Sequence, residues 1–160
     1  MTAPADRWPV EALATRDIDR VQPNMAAAGE RVNDARRHIR SARLLADDGP
    51  TLAIAACHDA IRKAITAHMS SVGLRARGGE GAHRIVLEYA RHQLVDVVTE
   101  DDLTDADDIR KDRSLAEYGD FASRQINAEH VRASAEVAER IVAAVAAVLA
   151  TGTRGTRRGP

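Results

Sequence analysis

The sequence predicts an all-α fold, an up-and-down bundle of about five helices, and three observations carry that expectation. Alanine, the strongest helix former, supplies 31 of the 160 residues. Only four aromatic residues are present, Trp8, Tyr89, Tyr118 and Phe121, so strands would lack the large side chains they favour. Apolar residues also recur at steps of three and four along five separate stretches.

The first stretch runs from about Met25 to Ala46, with Asn24 as N-cap and Val32, Ala35, Ile39, Ala42 and Leu45 on one face. Asp48-Gly49-Pro50 ends it. Pro50 suits the first turn of a second helix, which carries Ile54, Cys57, Ile61 and Ile65 to about Val72 and is closed by Gly73. A third occupies about Ala82–Val98, with Val86, Tyr89 or Ala90, Leu94 and Val97 along it. A fourth, shorter one covers about Asp105–Phe121 through Ile109, Leu115 and Tyr118. The fifth has the clearest pattern: Asn127 as N-cap, then Val131, Ala135, Ala138, Ile141, Val145 and Leu149. Short connections make neighbouring helices antiparallel. On either side of this bundle, residues 24–150, lie a loose arm over 1–23, with one helical turn near Glu11–Arg20, and a Gly-rich basic tail over 151–160 that composition predicts to be disordered.

One domain of this length buries roughly two-thirds of its unfolded surface without disulfides. The single cysteine, Cys57, excludes an internal disulfide scaffold and a cysteine-based zinc cluster. No run approaches the about 18 apolar residues of a membrane span, and no basic-then-apolar leader opens the chain. A cytoplasmic protein with no membrane partner is expected. A core built largely from alanine is thin, and pairing would add burial, so a homodimer is expected.

Charge is nearly balanced, at −1, but unevenly placed, and arginine outnumbers lysine 21 to 2. Arg31, Arg36, Arg37, Arg40 and Arg43 load the first helix. Arg75, Arg77 and Arg84 frame a Gly-rich loop, Arg77-Gly78-Gly79-Glu80-Gly81. Glu100 to Asp108 places six carboxylates in nine positions. It lacks the glycine and the closing glutamate of a helix–loop–helix calcium site, so the reading is a solvated loop feeding acids into the next helix's first turn. The histidines form no metal motif: no pair stands four apart, and His58, with Asp59 and Arg62, falls on the polar side of the second helix. No metal or cofactor is expected. The segment Asp108 to Tyr118 is denser in chemistry, bringing Arg110, Arg113, Ser114, Glu117 and Tyr118 within three helical turns. Arginines beside a phenol can hold a phosphate and a base together.

The stretches Ala56-Cys57-His58-Asp59-Ala60-Ile61-Arg62-Lys63-Ala64, Val72-Gly73-Leu74-Arg75, Gly81-Ala82-His83-Arg84 and Arg110 to Tyr118 together resemble the HEPN (higher eukaryotes and prokaryotes nucleotide-binding) domain. They are most similar to small actinobacterial members whose late motif reads Arg-Asn-x-x-Glu-Tyr. The resemblance covers about residues 30–149. It implies a dimeric helical bundle with two late motifs facing one cleft. For many members it also implies metal-independent ribonuclease activity in toxin–antitoxin or defence systems, beside a minimal nucleotidyltransferase as antitoxin. The family's catalytic signature is an arginine, then four to six intervening residues, then a histidine. Here Arg113 matches the arginine, Ser114 replaces asparagine, and Tyr118 stands where the histidine belongs. A phenol with a pKa of about 10 is a donor at neutral pH rather than a base. Four other Arg–His pairs have a permitted spacing, Arg31/His38, Arg62/His68, Arg77/His83 and Arg124/His130, no more than chance supplies in so arginine-rich a chain.

The resemblance and the charge pattern together give Arg113, Tyr118 and Glu117 as catalytic candidates and Arg110, Arg75, Arg77 and Arg84 as nucleic-acid contacts. The implied function is an RNA- or nucleotide-directed component of a toxin–antitoxin or defence locus. The competing reading is a non-catalytic dimeric adaptor, whose basic first helix and acidic segment dock a partner protein.

Overall fold

A computed structural model of the chain describes residues 4–79, 81–118 and 126–156, with side chains described within residues 7–79, 81–116 and 126–152. The described residues hold six helices and one short antiparallel strand pair: α1 (Pro4–Ala14), β1 (Ile18–Arg20), α2 (Met25–Leu45), α3 (Pro50–Ser71), β2 (Leu74–Ala76), α4 (Ala82–Gln93), α5 (Glu100–Tyr118) and α6 (Ala128–Thr156). The fold is the expected all-α bundle with one helix more.

The bundle centres on α3, which packs against α2, α4, α5, α6 and β2. Its alanines explain how so many neighbours fit. Ala53, Ala60, Ala64 and Ala67 are fully buried, and a methyl side chain lets a facing helix approach closely. Ile54, Ile61 and Ile65 fill the layer between them. α2 meets α3 through Ala28, Val32, Ala35, Ile39 and Ala42, as its periodicity predicts. α6 closes the same core with Val131, Ala135, Ala138, Ile141 and Val145. Both predicted N-caps form: Asn24 Oδ1 accepts from the Ala27 amide and Asn127 Oδ1 from the His130 amide, each at 2.9 Å.

The ends of the chain differ from the sequence reading. The segment expected as a loose arm holds α1 and β1. Trp8 on α1 stacks on His92, ring centroids 5.3 Å apart, and meets Tyr89 edge-on, which fixes α1 against α4. β1 pairs antiparallel with β2, Ile18 opposite Ala76, Asp19 opposite Arg75 and Arg20 opposite Leu74. At the other end α6 continues to Thr156, into the segment expected to be disordered, and 157–160 lie outside the described residues. The third helix stops at Gln93 rather than near Val98. The acidic run is the first turns of α5 rather than a loop: Thr99 Oγ1 accepts from the Asp102 amide, and Asp102 takes a bidentate grip from Arg140 of α6 at 2.9 and 3.0 Å.

Between α3 and β2 the chain reverses at Gly73, with φ at +77°. A Cβ there would sit 2.8 Å from the Val21 carbonyl oxygen, backbone that cannot step aside, because the Val21 amide donates to the Gly73 carbonyl at 2.9 Å. Gly73→Ala therefore combines a left-handed backbone with a clash. We expect it to cost about 2 kcal/mol or more and to lower the thermal midpoint by roughly 4–8 °C, measured by circular dichroism. An unchanged midpoint would mean that the turn relaxes freely.

Candidate functional site

The structure corrects the placement of His58. It does not lie on a solvated face but is 4% exposed, and its Nε2 lies 2.7 Å from Nδ1 of His83 on α4. The reason is topological. α3 buries more than one stripe, because α4 covers the flank next to the Ile54–Cys57–Ile61 face. The two rings, with centroids 4.8 Å apart, share one hydrogen bond, so one nitrogen donates and the other accepts.

Both imidazoles are held neutral. Burial pushes His58 down to about 3, reinforced by the neighbouring His83 and by the positive charge of Arg113. His83 is also lowered, first by burial and then by Arg113 and Arg62; Asp59 pulls the other way and Arg110 adds to the depression. The pair thus sits in the field of three guanidinium groups, from α3 and α5. The arrangement offers unprotonated ring nitrogen and fixed positive charge at neutral pH.

The arginines from the late motif have defined surroundings. Arg110 Nε donates to Asp107 at 2.9 Å, and Lys111 lies 3.2 Å from the same carboxyl group. Burial works to raise Asp107, but Arg110 and Lys111 outweigh it and keep the carboxylate below its usual range. Arg113 is half-buried where α5 crosses the start of α3, bordering a shallow hollow with Thr51, Leu52 and Ala55. Ser114 Oγ donates to the Arg110 carbonyl at 3.2 Å. Glu117 and Tyr118 end α5, and their side chains lie outside the described residues.

Of the loop arginines, Arg75 joins Arg62 and His83 in lining a cleft beside the histidine pair. Arg77 and Arg84 are exposed and are not part of that lining. Elsewhere, burial pushes the Cys57 thiol up to about 12, against a small opposing effect of Arg43, which leaves it an unreactive core residue. Among the described residues no group of three or more histidine, cysteine or acidic side chains is arranged to hold a metal ion. None of the described helices is long and apolar enough to cross a membrane.

Neutral imidazoles beside fixed guanidinium charge, on an α-helical bundle, suit an anionic phosphate ester. A family model described as HEPN domain matches residues 28–152, and the chain belongs to the HEPN domain family. At the level of the family, this membership supports a nucleotide-binding or ribonuclease-like module. No curated protein and no solved structure matches the chain.

The histidine pair was not legible from spacing, since its members stand 25 residues apart on different helices. It also sets a pH dependence. A histidine of ordinary pKa in the unfolded chain, near 6.5, takes up a proton that His58 in the folded chain refuses until about pH 3. Unfolding therefore gains protons as pH falls through 6.5, and stability drops with it. The thermal midpoint of the wild-type chain should fall more steeply between pH 7 and 5 than that of His58→Asn; parallel curves would show that the ring protonates freely in the folded state.

Proposed function

We propose that the chain is an RNA- or nucleotide-directed component of a toxin–antitoxin or defence system in the cytoplasm. It acts as a homodimer and is held in check by a partner such as a minimal nucleotidyltransferase. The observation that supports this reading is the position of Arg113. The residue matched to the family's motif arginine is also one of the charges that hold His58 and His83 neutral.

The chemistry is metal-independent cleavage of a phosphodiester by the neighbouring 2′-hydroxyl. The 2′-oxygen forms a bond to phosphorus as the bond to the 5′-oxygen breaks, leaving a cyclic phosphate and a 5′-hydroxyl end. His83, neutral and backed by His58, takes the proton from the 2′-hydroxyl, and water protonates the departing 5′-oxygen. Arg113 offsets the charge that develops on the non-bridging oxygens, and Arg110 holds the phosphate. Tyr118 stacks on a base or donates a hydrogen bond, and Glu117 orients Arg113. In this scheme the imidazole absent from position 118 is supplied by α4.

Arg113→Ala should abolish growth inhibition and RNA cleavage while the far-ultraviolet circular dichroism stays unchanged; undiminished toxicity in that variant would retire the reading. Because His83 is depressed, the base is ready at lower pH than an ordinary histidine, and cleavage should begin to fall only at a more acid pH than an ordinary histidine would set. The balanced charge of −1 favours the adaptor reading instead, since nucleic-acid binders are usually basic. Salt separates the two. Association through phosphates weakens steeply as salt rises, and salt-insensitive assembly with no RNA affinity would support the adaptor.

A further inference from the structure

Beside the histidine pair, α2, α3, β2 and α4 enclose a cleft of about 290 Å³, close to the small end of the range for ligand clefts. Four cations line it, Arg31 from α2, Arg62 and Lys63 from α3, and Arg75 from β2. Its floor is apolar, built on the buried side chains of Met69, Leu74 and Val86. Among the described residues no carboxylate lines it.

Three of these cations have a carboxylate partner at ion-pair distance outside the lining: Asp59 lies 3.7 Å from Arg62, Asp34 3.7 Å from Lys63, and Asp19 3.6 Å from Arg75, each longer than a direct hydrogen bond. Arg31 donates to the Thr66 carbonyl, at 3.3 Å. A guanidinium carries five N–H donors, so donors remain on every arginine of the lining. Like charges converging over an apolar floor repel one another unless an anion lies between them.

We infer that this cleft binds a phosphomonoester, its phosphate among Arg31, Arg62, Lys63 and Arg75 and its attached nucleoside against the Met69–Leu74–Val86 floor. A monoester carries about −1.5 to −2 at neutral pH and three terminal oxygens, a better match to four cations than the single charge of an internal phosphodiester. The ligand is the 5′-phosphate end of an RNA or a free mononucleotide. The site goes beyond the proposed cleavage and does not require it, although Arg62 and His83 connect the two places.

The test is calorimetric titration of the full chain with two matched pairs, adenosine 5′-monophosphate against adenosine, and a short oligoribonucleotide with a 5′-phosphate against the same one with a 5′-hydroxyl. At least one phosphorylated member should bind about tenfold or more tighter than its partner, and inorganic phosphate should compete with it. A preference in the oligonucleotide pair assigns an RNA end; a preference confined to the mononucleotide pair assigns a free nucleotide. The double variant Arg31→Ala/Lys63→Ala should erase the preference with an unchanged circular dichroism spectrum, and Arg31→Gln alone should reduce it. Arg113→Ala should keep it, so that a failure of the cleavage reading leaves this one standing. Equal binding within both pairs, or a full preference retained in the double variant, would overturn the inference.

Discussion

The close approach of helices along α3 is the constraint from which the rest of this structure follows. Fully buried alanines at 53, 60, 64 and 67 leave room for neighbours on several sides of one helix. Such a helix cannot keep a solvated face along its whole length. Polar residues on its flanks are enclosed by the elements that pack there, and His58 is enclosed with them. Burial of a titratable ring is costly unless it is hydrogen-bonded and uncharged. His83, delivered by α4 at 2.7 Å, meets the first condition, and the nearby guanidinium charges favour the second.

How much of this was legible in the sequence divides along the same line. α2, α3 and α6 were readable because each places its apolar residues at helical spacing, and the side chains that cap α2 and α6, Asn24 and Asn127, sit directly before them. α1 was not, because Pro4 and Pro9 interrupt its pattern and its anchor, Trp8, gains meaning only from Tyr89 and His92 far along the chain. β1 and β2 were not, because three-residue strands with charged Asp19 and Arg75 at their centres present no alternation to detect. The break after Gln93 was hidden by apolar residues, Leu94 to Val98, that continue in helical spacing through a turn.

For the site, a short motif pointed to Arg113 and Arg110, and a glycine-rich loop pointed to Arg75. The motif could not show that a histidine from another helix stands in their field. His58 looked solvated because a helical wheel assumes one covered face, whereas α3 is covered on its flank as well. Arg77 and Arg84 were grouped with Arg75 by nearness in sequence. Of the three, Arg75 on β2 borders the cleft, whereas Arg77 and Arg84 are not part of its lining.

The pairing of β1 with β2 also bears on the cleft. The family match begins at residue 28, yet β1 lies upstream of that limit and sets Asp19 against the arginine on the cleft rim. One wall of the cleft is thus braced by a segment upstream of the matched residues. A change confined to β1 would reshape that wall while leaving the His58–His83 pair, which α3 and α4 hold, in place.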